Sequence, residues 1–210
     1  MKKGLIIFAR EPIAGRVKTR LAVSIGDQAA AELYEAMLRD VIKTAEQLKD
    51  VETVVFWACE GKKLPFLAEQ YRCISRCQCK GDLGQRMQAA FDDMFASGCA
   101  ACCIIGSDAP DLPLSYIQDA YRLLETLQND VVLGPSIDGG YYLLGVRQAR
   151  AELFTGIPWS SAAVRECTLR AARDSGLTVA LLDEWQDIDT EEDLEAYQER
   201  IRLTLVRETT

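Results

Sequence analysis

The sequence predicts an α/β fold, a sheet covered by helices on both faces, and three observations carry that prediction. Short apolar runs alternate with stretches of helical periodicity along the whole chain. Polar turns rich in Gly and Pro fall where the apolar runs end, at the edge where open α/β sheets bind ligands. With 210 residues, 49% hydrophobic and 27% charged, the chain is long enough for one domain with a substantial core and short for two. Residues 1–210 are therefore expected to form a single domain, with no repeat, low-complexity tract or linker to divide it.

The run Gly4-Leu-Ile-Ile-Phe-Ala9 has the length and apolarity of a buried strand, and it opens into Arg10-Glu-Pro-Ile-Ala-Gly15-Arg16-Val-Lys18-Thr19-Arg20. Four cations against one acid in a Gly/Pro loop at a strand's carboxyl end suit a nucleotide diphosphate. A solvated basic turn before a helix has the same composition. Residues 27–49 carry a helical stripe at Leu33, Met37, Val41, Thr44 and Leu48, with Asp27 as a plausible cap. Residues 52–58 read as a second strand and 71–77 as a third, after which the glycine turn Gly81-Asp82-Leu-Gly84 opens a helix. A fourth strand at 101–105 is followed by a helix over 114–127 and a strand at 130–133. Ile157-Pro-Trp159-Ser160 precedes another helix, and a strand follows at 177–182. Thr190 caps the last helix, with Asp193 completing an acidic variant of the capping box.

Composition excludes several classes of function. The net charge of -8 disfavours a protein that works by neutralising nucleic-acid phosphates or anionic lipid, so the basic loop must act locally. No apolar run approaches the ~18 residues of a membrane span, and the first apolar stretch is too short for a signal peptide, which predicts a cytoplasmic protein. The chain has no histidine. Ser-His-Asp and Cys-His catalysis, histidine-ligated zinc and a histidine base are thereby removed, leaving carboxylates, cations and a hard metal. Of eight cysteines, Cys99, Cys102 and Cys103 fall in the apolar fourth strand, as core residues. Cys73, Cys77 and Cys79 lack the paired C-x2-C sets of a structural zinc site. The thiols are expected to be reduced, with any exposed one among Cys73 to Cys79 open to oxidation on storage.

Two turns carry the chemistry. Asp108 and Asp111 follow the fourth strand in Gly106-Ser107-Asp108-Ala-Pro110-Asp111-Leu-Pro113, a turn stiffened by proline, and two hard oxygens there suit Mg²⁺ or Mn²⁺ bridged to a diphosphate. The alternative makes Asp108 a turn residue and Asp111 the cap of the next helix. In Asp138-Gly139-Gly140-Tyr141-Tyr142 the glycines permit close approach of the backbone to a ligand, and Asp138 can accept sugar hydroxyls or act as a base. The same residues also make an Asp-Gly hairpin, and both readings can hold. Successive strand residues face opposite ways, so one tyrosine ring is expected in the core and one toward the site. Asp187 is a candidate second carboxylate for the metal.

Taken together, Phe-Ala-Arg-x-Pro-x-x-Gly-x-x-Lys-Thr-Arg-Leu, Gly-Ser-Asp-x-Pro-x-Leu-Pro, Asp-Gly-Gly-Tyr-Tyr-Leu-Leu-Gly, Pro-Trp-Ser and Asp-Ile-Asp-Thr-x-x-Asp-Leu resemble a bacterial glycosyltransferase A-like group within the nucleotide-diphospho-sugar transferase superfamily. The group includes proteins associated with arsenosugar biosynthesis, and the resemblance runs over residues 4–197. It implies a GT-A-like fold with a mixed, mostly parallel sheet. Carried over by motif, it brings Ala9, Arg10, Gly15, Arg16, Lys18 and Arg20 to the nucleotide and its phosphates, with Ser107 on the neighbouring turn. It also places Gly84 and Arg86 beside the base or ribose, Asp108 on the metal, and Asp138, Gly139, Gly140, Tyr141 and Trp159 at the acceptor or sugar. Glycosyltransferases of this fold often carry Asp-x-Asp, whereas Asp108-Ala-Pro-Asp111 looks more like the guanylyl- and cytidylyltransferases of the superfamily.

The expected function is a metal-dependent transferase using a nucleotide-activated donor, foremost a glycosyltransferase moving a sugar from a nucleoside-diphosphate sugar to a small acceptor. There Lys18 stabilises the departing diphosphate and Asp138 deprotonates the acceptor hydroxyl. The alternative is a nucleotidyltransferase that takes a nucleoside triphosphate and releases pyrophosphate, its first-loop cations on the leaving group. A non-catalytic nucleotide-binding domain is the third reading. A P-loop kinase and a Rossmann dehydrogenase are excluded, because neither G-x4-G-K-[ST] nor a G-x-G-x-x-G opening a helix is present.

Overall fold

The computed structural model describes residues 2–208. It builds from β1 (Lys3–Arg10) through α1 (Thr19–Ile25), α2 (Asp27–Ala45), β2 (Val51–Ala58), α3 (Leu64–Tyr71), β3 (Ile74–Cys77) and α4 (Leu83–Ala96). It continues with β4 (Ala101–Ile105), α5 (Leu114–Glu125), β5 (Val131–Pro135), β6 (Tyr141–Val146), α6 (Val164–Asp174), β7 (Val179–Leu181) and α7 (Glu191–Glu208). Among the described residues the strands form one sheet in the order β3-β2-β1-β4-β6-β5-β7. Strand β6 runs antiparallel to β4 and β5, and every other pairing is parallel. This is the mixed, mostly parallel α/β sheet the sequence predicts.

Strict alternation along the central strands divides the core between the two faces. Leu5, Ile7, Val55 and Trp57 point toward α2, α3 and α5, against Leu38, Val41, Leu67, Ile117 and Leu124. Ile6, Val54, Phe56 and Ile104 point the other way, toward Met87, Phe91 and Met94 of α4 and Ala172 of α6. A smaller cluster, Val17, Ala31, Tyr34, Met37 and Ile188, joins the first loop and α2 to the segment ahead of α7. All three are built from residues at 0–9% exposure, so both faces of the sheet are sealed and its carboxyl edge is left for chemistry.

Several expected boundaries move for identifiable reasons. Helix α2 starts at Asp27, but its cap is Gly26 at φ +86, and Asp27 is its first residue, without a capping bond. Its buried face runs through Ala30, Ala31, Tyr34, Met37, Leu38, Val41, Ile42 and Ala45, which shares Met37 and Val41 with the expected stripe and adds small alanines that an apolar count of large residues passes over. The helix ends at Ala45, not at residue 49. Residues 71–73 are not strand: Leu64-Pro-Phe-Leu starts α3 with proline in its first turn, and α3 ends on Tyr71 with Arg72 left-handed at φ +51. Helix α5 stops at Glu125 and is capped by Pro113, not Asp111, and β7 is shorter than the expected 177–182. The glycine turn at residues 81–84 opens α4 through a capping box between Asp82 and Gln85.

All eight cysteines are free thiols, with Cys99, Cys102 and Cys103 buried. Among the described residues no helix is long and apolar enough to cross a membrane. Phe91 is at 0% exposure between α4 and the sheet, packed 6.0 Å from the Phe154 ring. Phe91→Ala should cost about 3–5 kcal/mol in urea unfolding. Val23→Ala on α1, where the side chain is 88% exposed, should cost under about 0.5 kcal/mol.

Candidate active site

Three chain segments meet at the carboxyl edge of the sheet: the loop after β1, the turn after β4, and the stretch ahead of α7. Val17 and Ile188, at 3% and 0% exposure, sink into the same apolar cluster and bring the first and third segments together. Ile188 N–H then donates to the Asp108 carbonyl at 3.0 Å, which fixes the third segment against the second. With Ile188 turned inward, the flanking carboxylates Asp187 and Asp189 turn outward to the same side. Asp189 is steadied from behind, since Asp193 Oδ2 accepts from Asp189 N at 3.0 Å and Thr190 N at 2.8 Å while Thr190 Oγ1 accepts from Asp193 N. The predicted Thr190 cap is therefore present, and it doubles as a support for the site.

At the centre lies Lys18. Its backbone is left-handed at φ +47, and its side chain is only 4% exposed. Nζ donates to Asp108 Oδ2 at 3.0 Å and to Asp189 Oδ1 at 2.6 Å. Burial disfavours the ammonium, but the two carboxylates outweigh it and hold Lys18 charged well beyond the ordinary lysine range. Asp187 has the opposite problem. Burial, then the charges of Asp108 and Asp189, push its carboxyl up to about 7, with Lys18 opposing and Asp138 adding to the rise.

Asp108, Asp187 and Asp189 each offer one oxygen, all within 4.8 Å of one another. Three hard, partly buried oxygens, one of them poorly neutralised by the protein alone, fit the donor set that Mg²⁺ or Mn²⁺ requires. Asp189 is the member that sequence reasoning missed. The signal was present, since Asp187-Ile188-Asp189 is an Asp-x-Asp around a residue of core character, but it was absorbed into the helix-capping reading. Asp111 is not brought to this centre: its Oδ2 accepts from Arg200 Nε at 2.8 Å.

Of the cationic loop, Arg10, Arg16 and Arg20 are exposed, and Gly15 sits at φ +74 where the chain reverses. The loop is anchored by Arg10 N–H donating to Tyr34 Oη at 2.9 Å, and Tyr34 shares a second bond of 2.8 Å with Ser107 Oγ. Ser107 thus spends its hydroxyl, at 4% exposure, on joining β1 to β4. Across the edge, Gln78 donates to the carbonyls of Phe56 at 2.8 Å and Ala9 at 3.3 Å and accepts from Arg86 at 2.9 Å. Burial, then the neighbouring Arg10 cation, lower the Arg86 pKa.

A cleft of about 450 Å³ runs over this edge, lined by Arg20, Asp108, Asp187 and Asp189 together with Met87, Tyr141 and Trp159. Residues 136–140 are the predicted hairpin turn, in which Asp138 Oδ1 accepts from Gly140 N at 2.9 Å. Asp138 is exposed and lines the cleft with Gly140, while Gly139 at φ +89 packs against the backbone of Ala162 and its carbonyl accepts from Arg165 N at 2.9 Å. The tyrosines split as expected, Tyr142 donating to the Asp183 carbonyl on one face and Tyr141 packing against the α4 side on the other, although both rings reach the cleft. Gly84, which the resemblance places beside the base or ribose, is buried under Trp159, whose indole would come within 2.7 Å of an added Cβ.

Two tests follow from these electrostatics, both on protein held metal-free with chelator. Asp187 is ionised in the unfolded chain above about pH 4 but holds its proton to about pH 7 when folded. The folded state binds the extra proton over that window, so stability falls as pH rises through it. Asp187→Asn should therefore raise Tm by several degrees at pH 8 and lose that advantage toward pH 4 in a thermal-unfolding series. Lys18→Met, which leaves Asp108 and Asp189 without their cation, should lower stability by about 1–3 kcal/mol in urea unfolding, most at high pH.

The family described as uncharacterized protein conserved in bacteria (DUF2064) matches residues 41–161, more than half of the chain. A crystal structure from Desulfovibrio desulfuricans G20, assigned to the nucleotide-diphospho-sugar transferases, is 32% identical with a TM-score of 0.85, over 92% of this chain and 84% of that one. A 2-phospho-L-lactate guanylyltransferase from Methanothrix thermoacetophila is 29% identical over 133 residues, 63% of this chain and 57% of its own length. The chain thus matches little more than half of that relative. Glucosyl-3-phosphoglycerate synthase from Mycobacterium tuberculosis, solved with Mn²⁺, UDP and glucosyl-3-phosphoglycerate, shares the fold at 13% identity and a TM-score of 0.58, over 98% of this chain and 79% of that one. The chain belongs to the DUF2064 family, within the nucleotide-diphospho-sugar transferase superfamily.

Proposed function

We propose that residues 1–210 act as one domain, a transferase that takes a nucleotide-activated donor and a small-molecule acceptor. The observation that carries this reading is the placement of Lys18 among Asp108, Asp187 and Asp189 beside a loop of exposed arginines. An anionic diphosphate would meet Arg10, Arg16 and Arg20 and the edge of the carboxylate centre together. Asp108, Asp187 and Asp189 would hold Mg²⁺ or Mn²⁺, which would supply charge neutralisation at the diphosphate.

Sugar transfer is the foremost reading. The cleft also holds an exposed carboxylate, Asp138, and the aromatic residues Tyr141 and Trp159, a combination suited to the apolar face and hydroxyls of a sugar or acceptor. Asp138 keeps Oδ2 free while Oδ1 accepts from Gly140 N, so it can take a proton from an acceptor hydroxyl. Lys18 and the arginines then stabilise the leaving nucleoside diphosphate. The similarity to the Desulfovibrio nucleotide-diphospho-sugar transferase and the Mn²⁺ and UDP of the Mycobacterium synthase support this reading.

Nucleotidyl transfer is the second reading, supported by the guanylyltransferase relative and by carboxylates drawn from separate segments. In that chemistry a substrate phosphate attacks the α-phosphorus and the first-loop cations receive pyrophosphate.

Thermal shift against nucleoside di- and triphosphates and nucleotide sugars, with and without Mn²⁺ or Mg²⁺, separates these readings. A donor at ~100 times its Kd should raise Tm by about 5–10 °C, only with the divalent ion, and not in Asp108→Asn. Release of nucleoside diphosphate without pyrophosphate supports sugar transfer, and release of pyrophosphate from a triphosphate replaces it with nucleotidyl transfer. Binding without turnover of any donor leaves a nucleotide-binding domain, and no shift with any ligand overturns the nucleotide site itself.

A further inference from the structure

At the outer end of the same edge, β2 and β3 finish side by side. Trp57 is the register partner of Cys77, and Gln78 N–H donates to the Trp57 carbonyl at 2.9 Å. The chain bends just past β2, at Cys59, and turns that side chain toward β3. Cys59 Sγ and Cys77 Sγ lie 3.5 Å apart, both partly exposed. The nearby thiols are otherwise engaged: Cys73 Sγ lies 3.3 Å from Ser75 Oγ, and Cys79 Sγ points to the Gln85 carbonyl at 3.6 Å.

We propose that Cys59 and Cys77 form a redox site, a dithiol that a small-molecule disulfide of the glutathione class oxidises reversibly to an intramolecular disulfide. The two sulfurs already sit in contact on adjacent strands, within reach of a bond of about 2.05 Å after a small closure. Burial, then the bond to Cys77, push the Cys59 thiol up, and in the proposed exchange Cys77 attacks first. The Cys77 thiolate displaces one thiolate from the small disulfide, forming a mixed disulfide. Cys59 then loses its proton, attacks the Cys77 sulfur and expels the second thiolate. Two electrons and two protons leave the protein and appear as two small-molecule thiols.

The position of the pair couples it to the cationic rim. Cys77 is followed by Gln78, which holds the Ala9 and Phe56 carbonyls and Arg86. On the Cys59 side, the residues leading into α3 carry Lys63, which is paired with Glu11 of the first loop at 2.6 Å. A crosslink would tie together the two strand ends that set this rim. This inference does not depend on the proposed transfer chemistry.

The test equilibrates the reduced, folded full-length protein with glutathione redox buffers, followed by intact mass and peptide mapping under thiol-blocking conditions. The expected product is lighter by two hydrogens, contains a Cys59–Cys77 crosslink, melts several degrees higher, and returns to the dithiol with dithiothreitol. Cys59→Ser should trap glutathione on Cys77, and Cys79→Ser should oxidise as the parent does. Glutathione adducts without a crosslink, a crosslink between any other pair, or no oxidation in any of the buffers would each overturn the proposal. Peptide mapping of the parent decides the matter even if a variant fails to fold.

Discussion

An ammonium withdrawn from water must be paired, and the Lys18 Nζ between Asp108 and Asp189 is the contact on which the rest of the site depends. It draws together residues 90 and 171 positions apart in the chain. One ammonium offsets only one of those two carboxylates, so burial and the charges of Asp108 and Asp189 together hold the proton on Asp187. The centre is therefore left short of positive charge. That imbalance, more than the count of carboxylates, makes it suited to a divalent ion and a diphosphate.

The scaffold delivers this balance through small, buried attachments. Ile188 is secured to the Asp108 carbonyl by one backbone bond and to Val17 by apolar packing. Tyr34 joins the Arg10 backbone to Ser107, so the first loop and the β4 turn move as a unit. Gln78 performs the same office between β1, β2 and Arg86. None of these residues reaches into the cleft with a charge, yet each sets where a charge stands. Function at this edge is a property of the sheet's register as much as of the residues that face solvent.

The central strands were legible because hydrophobic alternation and turn chemistry agree there: residues 101–105 match the observed β4, Asp108, Asp187 and Asp138 line the cleft, and Lys18 is bonded to Asp108. Helices α1 and α3 were not legible. The first is seven residues folded into the cationic loop, and the second begins on a proline in an apolar run that reads equally as extended chain. Asp111 and Asp189 exchange the roles that local sequence suggests, because proximity in the motif favoured Asp111 whereas its partner, Arg200, lies on the distant α7. The packing of Gly84 was hidden for the same reason. What its missing side chain makes room for is Trp159, brought there only by the tertiary fold.

The separation of the three segments also imposes an order on how the protein comes into being. The first loop and the β4 turn can meet once β4 pairs with β1, but the pair Asp187 and Asp189 arrives only with the stretch leading into α7. During synthesis the strands of the sheet emerge before that stretch does. The carboxylate cluster thus draws two of its three acids from a segment synthesised after every strand of the sheet, and the spacing of those acids keeps them apart until the chain has folded back on itself.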